Sequence, residues 1–176
     1  MFPNWFKSVE KYFRHVPNVP LRALQIGTYT GDATEWLVDN CEIEYLDDVD
    51  TWEGSEEVAH DQIDFTSVED YYDSRFKDPR ITKNKMTSDA FFNTATRTYN
   101  FIYIDGDHTA LQTALDGLNA FKLLEPGGVM AFDDYLWNYN GDPFLEPKRG
   151  VDAFLSVCEG QYTVIESGYQ LWIEKC

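Results

Sequence analysis

A chain of 176 residues with 43% hydrophobic and 16% aromatic side chains can bury one real core, which excludes a disordered segment. Its 31 acids outnumber 14 lysines and arginines, and the resulting charge of −17 repels nucleic acid and anionic membranes, excluding both as partners. The apolar runs are only strand-sized, the first residues lack the apolar core of a signal peptide, and Cys41, Cys158 and Cys176 form no CxxC pair; cytoplasmic residence is the expectation.

Phe2, Trp5, Phe6, Val9, Tyr12, Phe13 and Val16 recur at helical spacing, so residues 1–20 read as an amphipathic helix ending before Pro17 and Pro20. That helix is a lid packed on a sheet, a cover for a substrate site, or the contact of a homodimer. From Leu21 strand and helix alternate through residues 21–176. Strands are expected over Leu21 to Gly27, Ile43 to Asp50, near Ile81, over Tyr99 to Asp105 and over Val129 to Asp133. Helices fall over Asp32 to Val38, Thr87 to Thr94 with Ser88 as cap, Thr109 to Leu124 and Val151 to Val157. The third of these puts Leu111, Ala114, Leu115, Leu118, Ala120 and Phe121 along one side. The acidic, aromatic stretch from Glu53 to Pro79 reads as loop plus helix, and Tyr162 to Glu166 and Tyr169 to Glu174 as a closing hairpin around Ser167-Gly168. The alternation predicts a doubly wound, mostly parallel α/β sheet with an antiparallel C-terminal edge hairpin.

Two strands end abruptly in acids: Phe101-Ile102-Tyr103-Ile104 runs into Asp105-Gly106-Asp107-His108, and Phe132 into Asp133-Asp134-Tyr135. Asp105 and Asp133 are 28 residues apart, room for one helix and one turn, so both tips belong at the same sheet edge. Asp105, Asp133 and Asp134 converging there suit a divalent cation such as Mg²⁺, and His108 a general base. His15 and His60 read as solvated. Ile26-Gly27-Thr28-Tyr29-Thr30-Gly31 forms a strand-to-helix turn, with Asp50 lying 19 residues beyond Gly31, where a nucleotide-binding fold keeps its ribose carboxylate. Asp48-Val49-Asp50 matches a phosphatase nucleophile motif in part only, because Trp52 occupies the Thr/Val position. A Rossmann dehydrogenase is disfavoured by the absent GxGxxG spacing. Tyr135, Trp137, Tyr139 and Phe144 crowd a polar loop and form either a binding wall or ordinary packing.

The segments ALQIGTYTGDAT, VDTWEGS, FIYIDGDH and LEPGGVMAFDDYLW resemble, in order and spacing, the small class I S-adenosylmethionine-dependent methyltransferases. The likeness covers Leu21 to Phe154 and is nearest to the metal-dependent O-methyltransferases of the caffeoyl-CoA, catechol and macrolide-sugar types. It implies a Rossmann-like domain that binds S-adenosylmethionine, with Gly27, Thr28, Tyr29 and Gly31 lining the methionine part. It further implies Asp50 on the ribose with Thr51 and Trp52 beside it, Ser88 near the adenine, and Asp105 shared between cofactor and metal. Asp105, Asp133 and Asp134 would hold Mg²⁺ or another divalent cation, and His108 would be the catalytic base toward a small-molecule hydroxyl. A metal-independent methyltransferase and a catalytically silent cofactor-binding protein are the alternatives. Gln25 departs from the resemblance, since most relatives carry Glu or Asp there.

Overall fold

Period-two burial decides how the central strands are used. In β4 (Tyr99–Ile104) Phe101 and Tyr103 face one apolar cluster while Ile102 and Ile104 face another. Helices must therefore cover both faces. The computed structural model describes residues 2–54, 62–138 and 141–176; His60 and Tyr139 lie outside them.

Strands β1 (Leu21–Ile26), β2 (Ile43–Asp50), β3 (Ile81–Lys85), β4 and β5 (Leu124–Phe132) pair in parallel, and β6 (Tyr162–Ser167) and β7 (Leu171–Lys175) complete a seven-stranded sheet of order β3-β2-β1-β4-β5-β7-β6. The closing hairpin is antiparallel, with β7 inserted against β5 and β6 at the edge. β1 lies between β2 and β4, where strand order reverses, so the carboxyl ends of β1, β2, β4 and β5 open on one crevice. Helices α1 (Asp32–Asn40), α2 (Phe65–Arg75), α3 (Ser88–Thr94), α4 (Ala110–Leu123) and α5 (Pro147–Val157) link the strands.

Three local expectations differ. Residues Phe6–Ser8 and Glu10–His15 form two 3₁₀ segments instead of one α-helix, although the apolar spacing still buries Val9, Tyr12 and Phe13 against β4 and Trp172. The cap of α3 is Thr87, whose hydroxyl accepts from the Ala90 amide; Ser88 is the first helical residue. In α4, Leu111 and Leu115 are 72% and 37% exposed, while Thr113, Asp116, Gly117, Ala120 and Phe121 are buried. Close helix packing selects that face. A Cβ on Gly117 would stand 3.0 Å from Phe132 and Phe154, and one on Gly150 of α5 would stand 2.2 Å from the Ala110 carbonyl.

Candidate active site

The crevice is a cavity of about 860 Å³, within the roughly 300–1,000 Å³ range of small-ligand sites. Gly27, Tyr29, Asp50, Thr51, Ser88, Asp105, His108, Asp133 and Asp134 all line it. Among the described residues, Tyr29, Trp52 and Asp134 are the non-glycine residues in left-handed backbone, with φ of 50°, 51° and 52°. They follow β1, β2 and β5. Strained backbone gathered where three strands open is typical of a working site.

At the β1 end, Asp50 organises the loop. Its Oδ2 accepts the backbone N–H of Thr28 (2.8 Å) and Tyr29 (2.7 Å), and its Oδ1 that of Trp52 (2.7 Å). Each carboxylate oxygen has two lone pairs, so one acceptor position on Oδ1 stays available for a ligand hydroxyl. Gln25 fixes the same loop from below by donating from Nε2 to the Gly27 carbonyl at 3.1 Å. The Thr34 hydroxyl sits between Gln25 Oε1 (3.1 Å) and Asp48 Oδ2 (2.8 Å), and the Tyr72 hydroxyl donates to that Asp48 oxygen. Asp48 is wholly buried with Oδ1 unpartnered, and burial pushes its carboxyl up to about 7 despite Tyr72 and Thr34. An amide at position 25 is the compatible partner, since a second carboxylate there would repel Asp48.

Trp52, Thr28 and Gly31 do not line the cavity. The Trp52 ring is 3% exposed, donates from its indole nitrogen to the Tyr29 carbonyl, and packs on Tyr72 and Val68 in a small core under the loop. Thr28 is buried, and Gly31 faces Phe76 at the start of α1.

At the β4 and β5 ends, Asp105, His108 and Asp134 offer ligand atoms within 4.8 Å of one another, a group able to hold a cation. His108 Nε2 is 3.0 Å from Asp134 and 3.9 Å from Asp105, and Trp137 packs on its ring at 4.9 Å. Asp133 falls outside the group, contrary to the sequence expectation. Its Oδ2 accepts from the Tyr103 hydroxyl at 2.6 Å, and its Oδ1 from the Asp134 amide and Gln170 Nε2. Tyr103, buried inside the sheet, and Gln170, in the β6–β7 turn, turn that carboxylate into a support for the Asp134 backbone.

The carboxylates crowd one another. Asp105 keeps 34% of its side chain open to the cavity, yet its carboxyl is held well above the ordinary range by desolvation and by the charge of Asp133, with His108 opposing. Asp133 is pushed up to about 6 by burial and by Asp134, against the hydrogen bond from Tyr103. A cation or a proton relieves this repulsion, so the donor set fits a divalent metal ion.

Several further residues line the cavity, and the N-terminal segment covers part of it, as one of the sequence expectations had it. Ser8 ends the first 3₁₀ segment and Trp5 and Val9 flank it, with Trp5 packed on Tyr29 at 4.8 Å. Tyr169, from the β6–β7 turn, donates to Asp134 Oδ1. Met86 and Gln112 complete the side near Ser88, where Gln112 Nε2 donates to the Ser88 hydroxyl and to Asp116. Of the aromatic loop after β5, Trp137 alone lines the cavity among the described residues. Tyr135 bonds Asp152 on α5, and Phe144 is 79% exposed.

Residues 24–135 match a family described as a methyltransferase domain. Compared with curated proteins the sequence has no match. Among solved structures, it is similar to the N-methyltransferase NodS of Bradyrhizobium japonicum WM9 (14% identity, TM-score 0.61, covering 96% of this chain and 92% of that one). It is similar to an O-methyltransferase of Bacillus cereus in complex with SAH (20%, 0.55, 88% and 74%) and to an S-adenosylmethionine-dependent methyltransferase of Mesorhizobium loti (12%, 0.63, 94% and 96%). At these identities the shared feature is the fold, and the family match spans well over half of the sequence, including the β1 loop, Asp50 and both acidic strand ends. The chain belongs to the methyltransferase-domain family and is a class I S-adenosylmethionine-dependent methyltransferase.

Proposed function

We propose that this enzyme methylates a hydroxyl oxygen of a small molecule, with the acceptor activated at Asp105, His108 and Asp134. The observation that carries the reading is that these three side chains meet on the cavity wall. S-adenosylmethionine supplies an electrophilic methyl group for in-line displacement. Asp50 holds the ribose through its remaining lone pair, the backbone at Gly27 and Tyr29 lies along the methionine part, and Ser88 faces the adenine.

His108 takes the acceptor proton, and Asp134, 3.0 Å from its Nε2, stabilises the imidazolium that forms. Trp137 on the ring and Tyr169 on Asp134 hold the pair in orientation. Asp105 and Asp134 would hold a divalent cation, which supplies Lewis acidity that lowers the hydroxyl pKa. A borderline ion such as Mn²⁺ suits carboxylates next to an imidazole as well as Mg²⁺ does. The 3.0 Å contact between His108 and Asp134 also supports a second reading, in which the dyad deprotonates the acceptor without metal.

Transfer of labelled methyl from S-adenosylmethionine to a panel of hydroxyl and amine acceptors, with and without EDTA, tests this. Oxygen methylation abolished by EDTA and restored by Mn²⁺ or Mg²⁺ is the expected result. Full activity in EDTA leaves the dyad reading, and methylation confined to nitrogen overturns both.

A further inference from the structure

The charge of the cavity wall specifies the acceptor more narrowly. Six aspartates line it (Asp50, Asp89, Asp105, Asp107, Asp133 and Asp134), and no lysine or arginine does among the described residues. Residues 1, 55–61 and 139–140, outside the description, contain neither lysine nor arginine. Nearby basic side chains are engaged elsewhere: Lys83 with Glu69 and Asp73, Lys85 with Glu69, and Lys148 with Asp152. An anionic acceptor would face these carboxylates with no lysine or arginine on the wall to pair with, and its burial would be costly.

The other feature of the wall is aromatic. Trp5, Tyr29, Phe65, Trp137 and Tyr169 line the same cavity, and their ring faces attract cations. Asp107 adjoins His108 on the β4–α4 loop, is exposed, and commits one oxygen to the Thr109 amide.

Building on the O-methyltransferase reading, we propose that the acceptor is a hydroxyl-bearing organic amine, bound as its ammonium ion. The hydroxyl meets His108, the ammonium meets Asp107, and the body of the molecule lies against Trp137. Coenzyme A thioesters, nucleotides, phosphorylated sugars and RNA are excluded by the same wall. The net charge of −17 steers such a cation toward the protein from a distance.

Calorimetry provides the test. S-adenosylhomocysteine is titrated first, and the complex is then titrated with matched acceptors on a catechol and on a cyclohexane-1,2-diol ring, each carrying an aminoethyl, an ethyl or a carboxymethyl group. The amine should bind about tenfold tighter than its ethyl analogue on at least one ring, the gain from one charge-assisted hydrogen bond. The carboxylate should bind weakest, and added salt should narrow the gap. Asp107→Asn should remove most of the amine advantage and leave S-adenosylhomocysteine affinity unchanged. Equal affinities across the charge series, a preferred carboxylate, no binding on either ring, or a full amine advantage in Asp107→Asn overturns the inference alone. Failure of S-adenosylhomocysteine to bind overturns the O-methyltransferase reading with it.

Discussion

Gly27 and Asp105 meet so closely that a Cβ on Gly27 would lie 1.7 Å from the Asp105 carbonyl oxygen. The contact joins the loop after β1 to the acidic end of β4, and Gly27 also needs φ of +81°. Neither atom can yield, because Asp105 donates its own amide to the Ile26 carbonyl. Gly27→Ala should cost roughly 3 kcal/mol or more of stability, combining overpacking with left-handed strain. Denaturant titration showing a loss below about 1 kcal/mol would contradict this.

Asp50→Ala should act twice. Removing the carboxylate leaves the amides of Thr28, Tyr29 and Trp52 without their acceptor, so thermal stability should fall along with S-adenosylhomocysteine affinity. The affinity loss should be about 1.5–3 kcal/mol, as for a hydrogen bond to a charged group. The three amide contacts tie this carboxylate to the fold as firmly as to the ligand. Calorimetry and a melting curve on the same sample separate the two effects.

His108→Ala should slow methyl transfer by roughly 10²–10⁴-fold while a Mn²⁺ titration still shows binding to Asp105 and Asp134. Asp134→Asn should lose both. Should chelation leave turnover unchanged and His108→Ala be silent, neither the metal nor the base assignment survives.

Trp137→Ala should raise the acceptor KM with S-adenosylhomocysteine affinity unchanged, because the ring packs on His108, the proposed base, and lines the cavity there. An unfolded variant in circular dichroism would show instead that the ring is structural.

Stability should fall as pH rises between about 4 and 7. Asp48 is pushed from an ordinary 3.8 to about 7, so across that window the folded state holds a proton that the unfolded chain has released. More protons on the folded side means that raising pH favours unfolding, by something on the order of 4 kcal/mol once the window is crossed. Asp116 and Asp133, both pushed up to about 6 mainly by burial, act in the same direction. Asp48→Asn should flatten much of the slope and be more stable than wild type at pH 8. Chemical denaturation at pH 5 and pH 8 measures both.

The parts of the site legible in the sequence are those whose chemistry is written along a single strand. Ile104 to His108 and Phe132 to Asp134 announce their acids because a buried parallel strand is continuously apolar until it stops. What escaped is set by partners distant in the chain. Asp133 looks as good a ligand as Asp134 until Tyr103 and Gln170 occupy it. Trp52 sits beside Asp50 in sequence, yet left-handed backbone turns its ring into the core. Leu111 and Leu115 mark the wrong face of α4 because Gly117 and Gly150, which have no side chain to contribute to an apolar pattern, decide where the helices touch. The N-terminal apolar spacing marked Val9, Tyr12 and Phe13, which are buried, together with Trp5, which is 46% exposed, and it did not show the 3₁₀ geometry, since both helix types place residues three apart on one side.

The β6–β7 turn bears on the order in which this enzyme is made. Tyr169 and Gln170 brace Asp134 and Asp133, and β7 is inserted beside β5. Synthesis runs from the amino end, so a nascent chain carries the loop after β1 and Asp50 before it possesses those braces, and the domain folds as a unit only once β7 is available. On the proposed reading, acceptor activation therefore waits for the docking of β7, because Asp133 and Asp134 have no brace from Tyr169 and Gln170 before it.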